Sequence, residues 1–69
     1  MVRTVDFKHI DCGTVSVVER HLTDNSVVHN VEITHSGDVL YIIPAYDEKD
    51  AICRMNGIFK AFNHAIKCN

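Results

Sequence analysis

The order of apolar and polar residues divides the chain into a strand-forming first part and a helical last part. Up to Pro44 apolar side chains tend to alternate with polar ones, a period of two that is typical of half-buried strands. After Pro44 the apolar residues recur at spacings of three and four, the period of an amphipathic helix. This switch predicts an α+β fold: a small antiparallel β-sheet of three to four meander-like strands, followed by one C-terminal amphipathic α-helix packed on one face.

The first part, from about residue 4 to 43, contains four segments with the strand pattern. Turn-forming residues separate these segments at 11–13, 23–26 and 35–37. Gly13 and Gly37 stand in two of these turns, where a residue free to take positive φ is needed. Segments joined by turns this short are expected to pair as antiparallel neighbours.

The turn at 35–37 also predicts how the last two strands align. A three-residue loop places Ile33 opposite Val39 and Val31 opposite Tyr41. We call the sheet face that the helix covers the inner face. Its predicted members are Val5, Phe7, Val15, Val17, Val27, Val31, Ile33, Val39, Tyr41 and Ile43. The same rows contain His9 and His29, which we interpret as hydrogen-bonded structural residues.

The strongest local pattern is a helix predicted from about residue 48 to 67. Asp47 stands where a carboxylate can cap the first free N–H groups, and Glu48 and Asp50 lie in the first turn, which favours negative charge. The apolar stripe of this helix contains Ala51, Ile52, Met55, Ile58, Phe59, Phe62, Ala65 and Ile66. We expect the stripe to cover the inner face.

One helix covers one side of a sheet, so the opposite side, which we call the outer face, meets water or a partner. Its predicted apolar members are Ile10, Val18, Leu22, Val28, Leu40 and Ile42, which alternate with polar residues that include Asp6 and Lys8. Leu40 and Ile42 make the fourth strand apolar on both faces, although a meander leaves that strand at the sheet edge. We therefore expect Val18, Val28, Leu40 and Ile42 to bind a partner protein, most simply a second copy of the chain.

Composition indicates one small globular domain over residues 1–69. The chain has 69 residues, of which 46% are hydrophobic and 23% charged, and its net charge is −2. The longest apolar run, residues 39–43, is too short to cross a bilayer, so no membrane contact is expected. No export leader follows Met1 and the three cysteines are odd in number, which favours free thiols and a cytoplasmic location.

Two short pairs of residues have the spacing of metal ligands. His9 and Cys12 form one pair, and His64 and Cys68 form the other. Alternating strand directions would bring Cys12, His35, His64 and Cys68 to one end of the domain. The gap of more than fifty residues between the pairs matches no compact zinc finger. We predict no cofactor and retain a zinc-stabilised small domain as an alternative.

Catalysis is not predicted, and the chain is interpreted as not an enzyme. The sequence contains no Gly-rich phosphate loop, nucleophile elbow or paired-carboxylate arrangement. Cys53 and His64 lie on one side of the helix but are separated by roughly 16 Å, too far for a thiol and its base.

The remaining hypotheses concern binding. Arg54, Lys60 and Lys67 give the helix a basic outer side that meets no acid after residue 50, and could contact nucleic-acid phosphates. The net negative charge and the lack of aromatic residues beside these charges weigh against that hypothesis. The favoured function is a small regulatory or inhibitory protein that acts by protein–protein binding as a homodimer, with nucleic-acid binding as the alternative.

Overall fold

The computed structural model describes the backbone of residues 1–68 and the side chains of residues 1–62. Four strands and one helix follow in chain order: β1 (Val2–Ile10), β2 (Gly13–His21), β3 (Val27–His35), β4 (Asp38–Ala45) and α1 (Glu48–Cys68). The strands form one antiparallel sheet in the order β1-β2-β3-β4, and α1 packs on one side of it. The predicted α+β fold is confirmed. Within the described residues no helix is long and apolar enough to span a membrane.

The core lies between the inner face and α1. Its buried members are Ile10, Val15, Val17, Val31, Ile33, Ala51 and Met55, and Met55 is the largest fully buried side chain among residues 1–62. Half-buried side chains surround this centre, namely Val5, Ile43, Ala45, Ile52, Ile58, Phe59 and Phe62. The apolar stripe of the helix is thus confirmed up to Phe62, whereas Ala65 and Ile66 lie outside the described side chains.

Side-chain oxygens fix the start of α1. The backbone N–H of Asp50 donates to Asp47 Oδ1 at 2.8 Å, which confirms the predicted cap. The carboxylate of Asp50 in turn accepts from the backbone N–H of Tyr46 at 3.0 Å and from Arg54 Nε at 2.9 Å. These donors, Tyr46 first, lower the pKa of Asp50. The first turn of the helix therefore has a defined geometry.

The turn between β3 and β4 is shorter than predicted. His35 pairs with Asp38, so the loop contains two residues, Ser36 and Gly37, and not three. Their φ angles are 52° and 86°, the left-handed values of a type I′ turn, whose twist matches that of the flanking strands. The left-handed conformation predicted for Gly37 is confirmed, and the predicted loop length was wrong.

The register of β3 against β4 also differs from the prediction. Ile33 lies opposite Tyr41 and Val31 lies opposite Ile43, whereas a three-residue loop would have placed Ile33 opposite Val39. The shift arises from the shorter turn together with an irregularity in the ladder next to Ile33.

That irregularity is a β-bulge at Leu40. Thr34 pairs with Val39, but the preceding residue of β3 pairs with Tyr41, which leaves Leu40 as an extra residue on β4. Val39 therefore lies on the outer face with Thr34, where it is 49% exposed. Tyr41 and Val27 keep their inner-face positions but remain exposed, Tyr41 on the edge strand β4 and Val27 at the first residue of β3.

A second bulge, at Val5 in β1, reverses the face of every side chain after it on that strand. Thr4 pairs with Val18, and Asp6 pairs with Val17, so Val5 is the extra residue. Because side chains alternate along a strand, one additional residue exchanges the inner and outer positions beyond it.

The residues after this second bulge accordingly face the other way from the prediction. Phe7 lies opposite Ser16 on the outer face, and His9 follows it there. Lys8 and Ile10 lie on the inner face, and Ile10 is buried in the core. The prediction was wrong for Phe7 and His9, which it placed on the inner face, and for Lys8 and Ile10, which it placed on the outer face. The cause is the extra residue, which regular alternation cannot include.

Candidate functional site

Three of the four residues predicted to bind a partner, Val18, Val28 and Ile42, lie on the outer face. The fourth, Leu40, is the bulged residue of the edge strand β4. Val28 is 37% exposed, Leu40 52% and Ile42 58%. Val18 is buried, so it offers little area for contact with a partner. The bulge in β1 adds Phe7, which is 53% exposed. We call Phe7, Val28, Leu40 and Ile42 the outer patch.

The strand β4 is an open edge of the sheet. Apolar side chains are exposed on both of its faces: Val39, Leu40, Tyr41 and Ile42. Pro44 has no N–H to offer to a neighbouring strand, and the bulge at Leu40 interrupts the regular row of donors and acceptors. These two features hinder extension of the sheet by another strand. The contact that β4 offers is therefore made mainly by its side chains.

Two opposite charges lie near the middle of the outer face. In the register of β2 and β3, Arg20 and Glu32 stand on either side of the Val18–Asn30 pair, each roughly 7 Å from it along the strand direction. Neither charge forms an ion pair with another described side chain. Both remain available to a partner.

His9, one member of the first predicted metal-ligand pair, contacts side chains of its own sheet face. His9 lies on the outer face, where its Nδ1 atom is 3.5 Å from Thr14 Oγ1. The His9 ring also meets the Phe7 ring edge to face, with the two ring centres 5.5 Å apart. The imidazole is therefore held by neighbours on its own sheet face.

Cys12 and His35 do meet at one end of the sheet, as the strand directions predict. The contact uses the main-chain carbonyl oxygen of Cys12, which accepts a hydrogen bond from His35 Nδ1, while the Cys12 side chain is a free, exposed thiol. His64 and Cys68, the second predicted pair, lie outside the described side chains.

A polar cluster that the sequence did not predict lies on the inner face, at the N-terminal end of α1. Glu19 and His29 are cross-strand partners, Glu48 is the first residue of α1, and the ligand atoms of these three side chains lie within 4.8 Å of one another. Arg3 Nη2 is 3.1 Å from Glu19 Oε2 and 4.0 Å from Glu48 Oε1. His21 Nε2 is 2.7 Å from Glu19 Oε1. We call these five residues the Glu19 cluster.

Glu19 is the electrostatic centre of this cluster. Its side chain is 13% exposed and accepts hydrogen bonds from Arg3 and from His21. These donors, Arg3 first, lower the pKa of Glu19 from 4.5 to about 2. The same hydrogen bond raises the pKa of Arg3. Glu19 is therefore fully ionised at neutral pH.

His29 is the least satisfied member of the Glu19 cluster. Its side chain is 12% exposed, and its Nε2 atom lies 3.4 Å from Glu19 Oε2. That distance allows an electrostatic contact, but the orientation falls short of a hydrogen bond, and Nε2 is shielded from solvent without a hydrogen-bond partner among the described residues. A buried polar atom in this state costs free energy, so the cluster has an unused donor or acceptor position.

The basic side of α1, the alternative nucleic-acid surface, is only partly described. Arg54 is held by Asp50 at 2.9 Å, one helical turn away, and this ion pair raises the pKa of Arg54. Lys60 is exposed, and Lys67 lies outside the described side chains. One of the three candidate cations is thus neutralised within the helix itself.

Two depressions on the described surface lie away from Glu19, His29 and Glu48, although His21 lines the larger one. The larger, about 540 Å³, lies at the β2–β3 turn and is lined by Met1, Val2, Arg20, His21, Leu22, Thr23 and Asp24. The smaller, about 290 Å³, is lined by Pro44, Ala45, Tyr46 and Arg54. Neither lining set combines a nucleophile with a base at reacting distance.

Comparison of the sequence with protein-family models, with curated proteins and with solved structures finds no match. Inference about function therefore depends on the outer face and on the Glu19 cluster.

Proposed function

We propose that the protein is a small non-enzymatic binding protein with a regulatory or inhibitory role, and that it self-associates through the outer face. The observation that supports this proposal is the uncovered outer patch, where Phe7, Leu40 and Ile42 are each more than half exposed. A face opposite the only helix of the described chain has no covering element of its own. A second copy supplies such a cover by packing sheet against sheet.

The size of the outer patch sets the expected strength of this association. Complete burial of an aliphatic or aromatic side chain is worth roughly 1.5–3 kcal/mol, so a side chain already half covered gains roughly 1 kcal/mol. Four such side chains on each copy give a total within the range of about 4–15 kcal/mol that association costs. The eight side chains of a dimer gain roughly 8 kcal/mol, which exceeds the lower end of that cost by roughly 4 kcal/mol. We therefore expect a weak, reversible dimer that forms at about millimolar concentrations, and not an obligate one.

The two charges on the outer face add a geometric restriction. Consider a two-fold axis that lies between the two sheets and runs across the strands at the level of the Val18–Asn30 pair. Because Arg20 and Glu32 lie on opposite sides of that pair along the strands, this axis exchanges their levels. Each Arg20 then lies at the level of Glu32 in the second copy. The interface would contain two equivalent ion pairs, which favour this alignment over its alternatives.

The first experiment changes the outer patch. Leu40→Lys or Ile42→Glu should abolish association and leave a folded monomer, as measured by analytical ultracentrifugation together with circular dichroism. Leu22→Lys is the matched control, because Leu22 is also an exposed aliphatic residue, 42% exposed, but lies beyond the end of β2. This control should associate like the wild type. Wild-type protein that stays monomeric at millimolar concentration would contradict the proposal.

The second experiment tests the two-fold alignment by exchanging charges. Arg20→Glu and Glu32→Arg should each weaken the dimer, because each variant faces like charges across the interface. The double variant should recover association, and so should an equimolar mixture of the two single variants, since their opposite charges then meet. If neither the double variant nor the mixture recovers association, the alignment is wrong even if the outer patch mediates binding.

A further inference from the structure

We propose that Glu19, His29 and Glu48 form a binding site for a divalent transition-metal ion such as Zn²⁺. The ligand atoms of these side chains lie within 4.8 Å of one another, at the end of the inner face where α1 begins. One imidazole nitrogen and two carboxylates are ligands that Zn²⁺ accepts, and a fourth position is left for water. This inference does not depend on self-association, because the site lies on the face opposite the outer patch.

The backbone holds two of the three ligands in place. Glu19 and His29 are direct cross-strand partners on the two central strands, so their Cα positions are fixed by the ladder on both sides. Glu48 stands at the capped first turn of α1, beside the Asp47–Asp50 hydrogen bond. Its side chain is 49% exposed, compared with 13% for Glu19 and 12% for His29. The ion would therefore enter from the Glu48 side.

The unsatisfied nitrogen of His29 is the observation that points to a bound ion. When the ring proton is on Nδ1, Nε2 carries a lone pair, and this atom is shielded from solvent and lacks a hydrogen-bond partner among the described residues. Bonds of about 2.0–2.2 Å to a metal require donor atoms closer together than 4.8 Å. The exposed Glu48 side chain can make most of that movement. Coordination would satisfy His29 Nε2, the buried side-chain atom that has no hydrogen-bond partner among the described residues.

Arg3 and His21 would contact the ligands of the ion without binding the ion itself. The Nε2–H of His21 holds the other oxygen of Glu19 at 2.7 Å, an outer contact of the kind that orients metal-bound carboxylates. The guanidinium of Arg3 now supplies positive charge between Glu19 and Glu48, but its side chain is 61% exposed and free to move outward. Arg3 is therefore a competitor of the metal, and its removal should strengthen metal binding.

The test uses tag-free, chelator-treated protein titrated with Zn²⁺ by calorimetry and with Co²⁺ by visible absorption. The wild type should bind one ion per chain and show Co²⁺ bands of a four- or five-coordinate site. Glu48→Gln, which changes an exposed residue and keeps the fold, should weaken binding by about tenfold or more, as should His29→Gln. Arg3→Gln should tighten binding by about tenfold, because a competing charge is removed.

Control variants separate this site from other ligands of the chain. Asp38→Asn removes an exposed carboxylate at the opposite end of the sheet, and Cys12→Ser and His9→Gln remove candidates from the sequence; all three should bind like the wild type. No binding at millimolar Zn²⁺ would overturn the proposal. Binding that survives Glu48→Gln but is lost in Cys12→Ser or His64→Gln would also overturn it and assign the ion to a different set of ligands.

Discussion

The Nζ atom of Lys8 lies 4.9 Å from the centre of the Phe59 ring, on the inner face where α1 borders the core. A cation over an aromatic face is attracted by about 0.5–1 kcal/mol at a partly exposed site, and the aliphatic stem of lysine covers apolar surface as well. The contact depends on the bulge at Val5, which turns Lys8 toward the helix.

We predict that Lys8→Ala destabilises the protein by about 1 kcal/mol and that Lys8→Met, which keeps the stem, costs less. A double-mutant cycle with Phe59→Leu should give a coupling energy of about 0.5–1 kcal/mol from urea unfolding curves. Lys60→Ala, on the exposed side of the same helix, is the control and should change stability by less than about 0.5 kcal/mol. A coupling energy of zero would show that the ring and the ammonium group do not interact.

The faces assigned to β1 lead to a second prediction. Ile10→Ala removes a buried side chain and should cost about 2–5 kcal/mol, whereas Phe7→Ser changes a side chain that is 53% exposed and should cost less than about 1 kcal/mol. Regular alternation along β1 requires the opposite order, with Phe7 in the core. Denaturant unfolding of the two variants therefore decides directly whether the bulge is present.

The two bulges mark the limit of what alternation can predict. Val15, Val17, Val31 and Ile33 were assigned correctly, because β2 and β3 are paired without interruption and the period of two holds along both. An extra residue in an edge strand does not change the local propensity to form a strand, so the composition of β1 or β4 does not indicate a bulge. The one available signal was Ile10, an apolar residue out of phase with the row that contains Val5.

Only part of the Glu19 cluster could be predicted from the sequence. The row of Val15 and Val17 continues to Glu19, and His29 was recognised as a polar residue in an apolar row, so two members could have been placed on the inner face. Arg3 and Glu48 come from other elements, and they reach Glu19 only through the packing of α1 over that end of the sheet. Periodicity describes single elements and contains no such information.

Two glycines provide a matched pair for a third prediction. A Cβ atom at Gly13 would lie 1.9 Å from the carbonyl oxygen of Thr34, a backbone atom of the neighbouring strand, and the φ angle there is +155°. Gly13→Ala should therefore cost more than about 2 kcal/mol, since the ladder itself must move. Gly57 lies in the exposed middle of α1, where a Cβ atom would meet nothing within 4 Å beyond its chain neighbours and the adjacent backbone of the helix.

Gly57→Ala should accordingly stabilise the protein by up to about 1 kcal/mol, through the higher helix propensity of alanine. Thermal unfolding of the two variants is the measurement, and their melting temperatures should shift in opposite directions. A destabilised Gly57→Ala variant would indicate that something packs against this position in solution, such as a second copy of the chain.

The low pKa of Glu19 predicts a specific loss of stability in acid. The ordinary pKa of 4.5 applies to the unfolded chain, whereas hydrogen bonds from Arg3 and His21 lower it to about 2 in the folded protein. The unfolded chain therefore binds a proton more readily than the folded protein between these two values. The stability that Glu19 contributes is present in full above about pH 5 and is lost as the pH falls through 4.5 toward 2.

Melting temperatures measured from pH 6 to pH 2 should therefore fall more steeply for the wild type than for Glu19→Gln, which has no carboxylate to protonate. Arg3→Gln should also flatten the profile, because Arg3 is the largest cause of the lowered pKa. Arg20→Gln removes the same charge from the outer face, away from Glu19, and should retain the wild-type slope at concentrations where the protein is monomeric. If Arg20→Gln flattened the profile as much as Arg3→Gln, the acid sensitivity would come from net charge and not from the hydrogen bonds to Glu19.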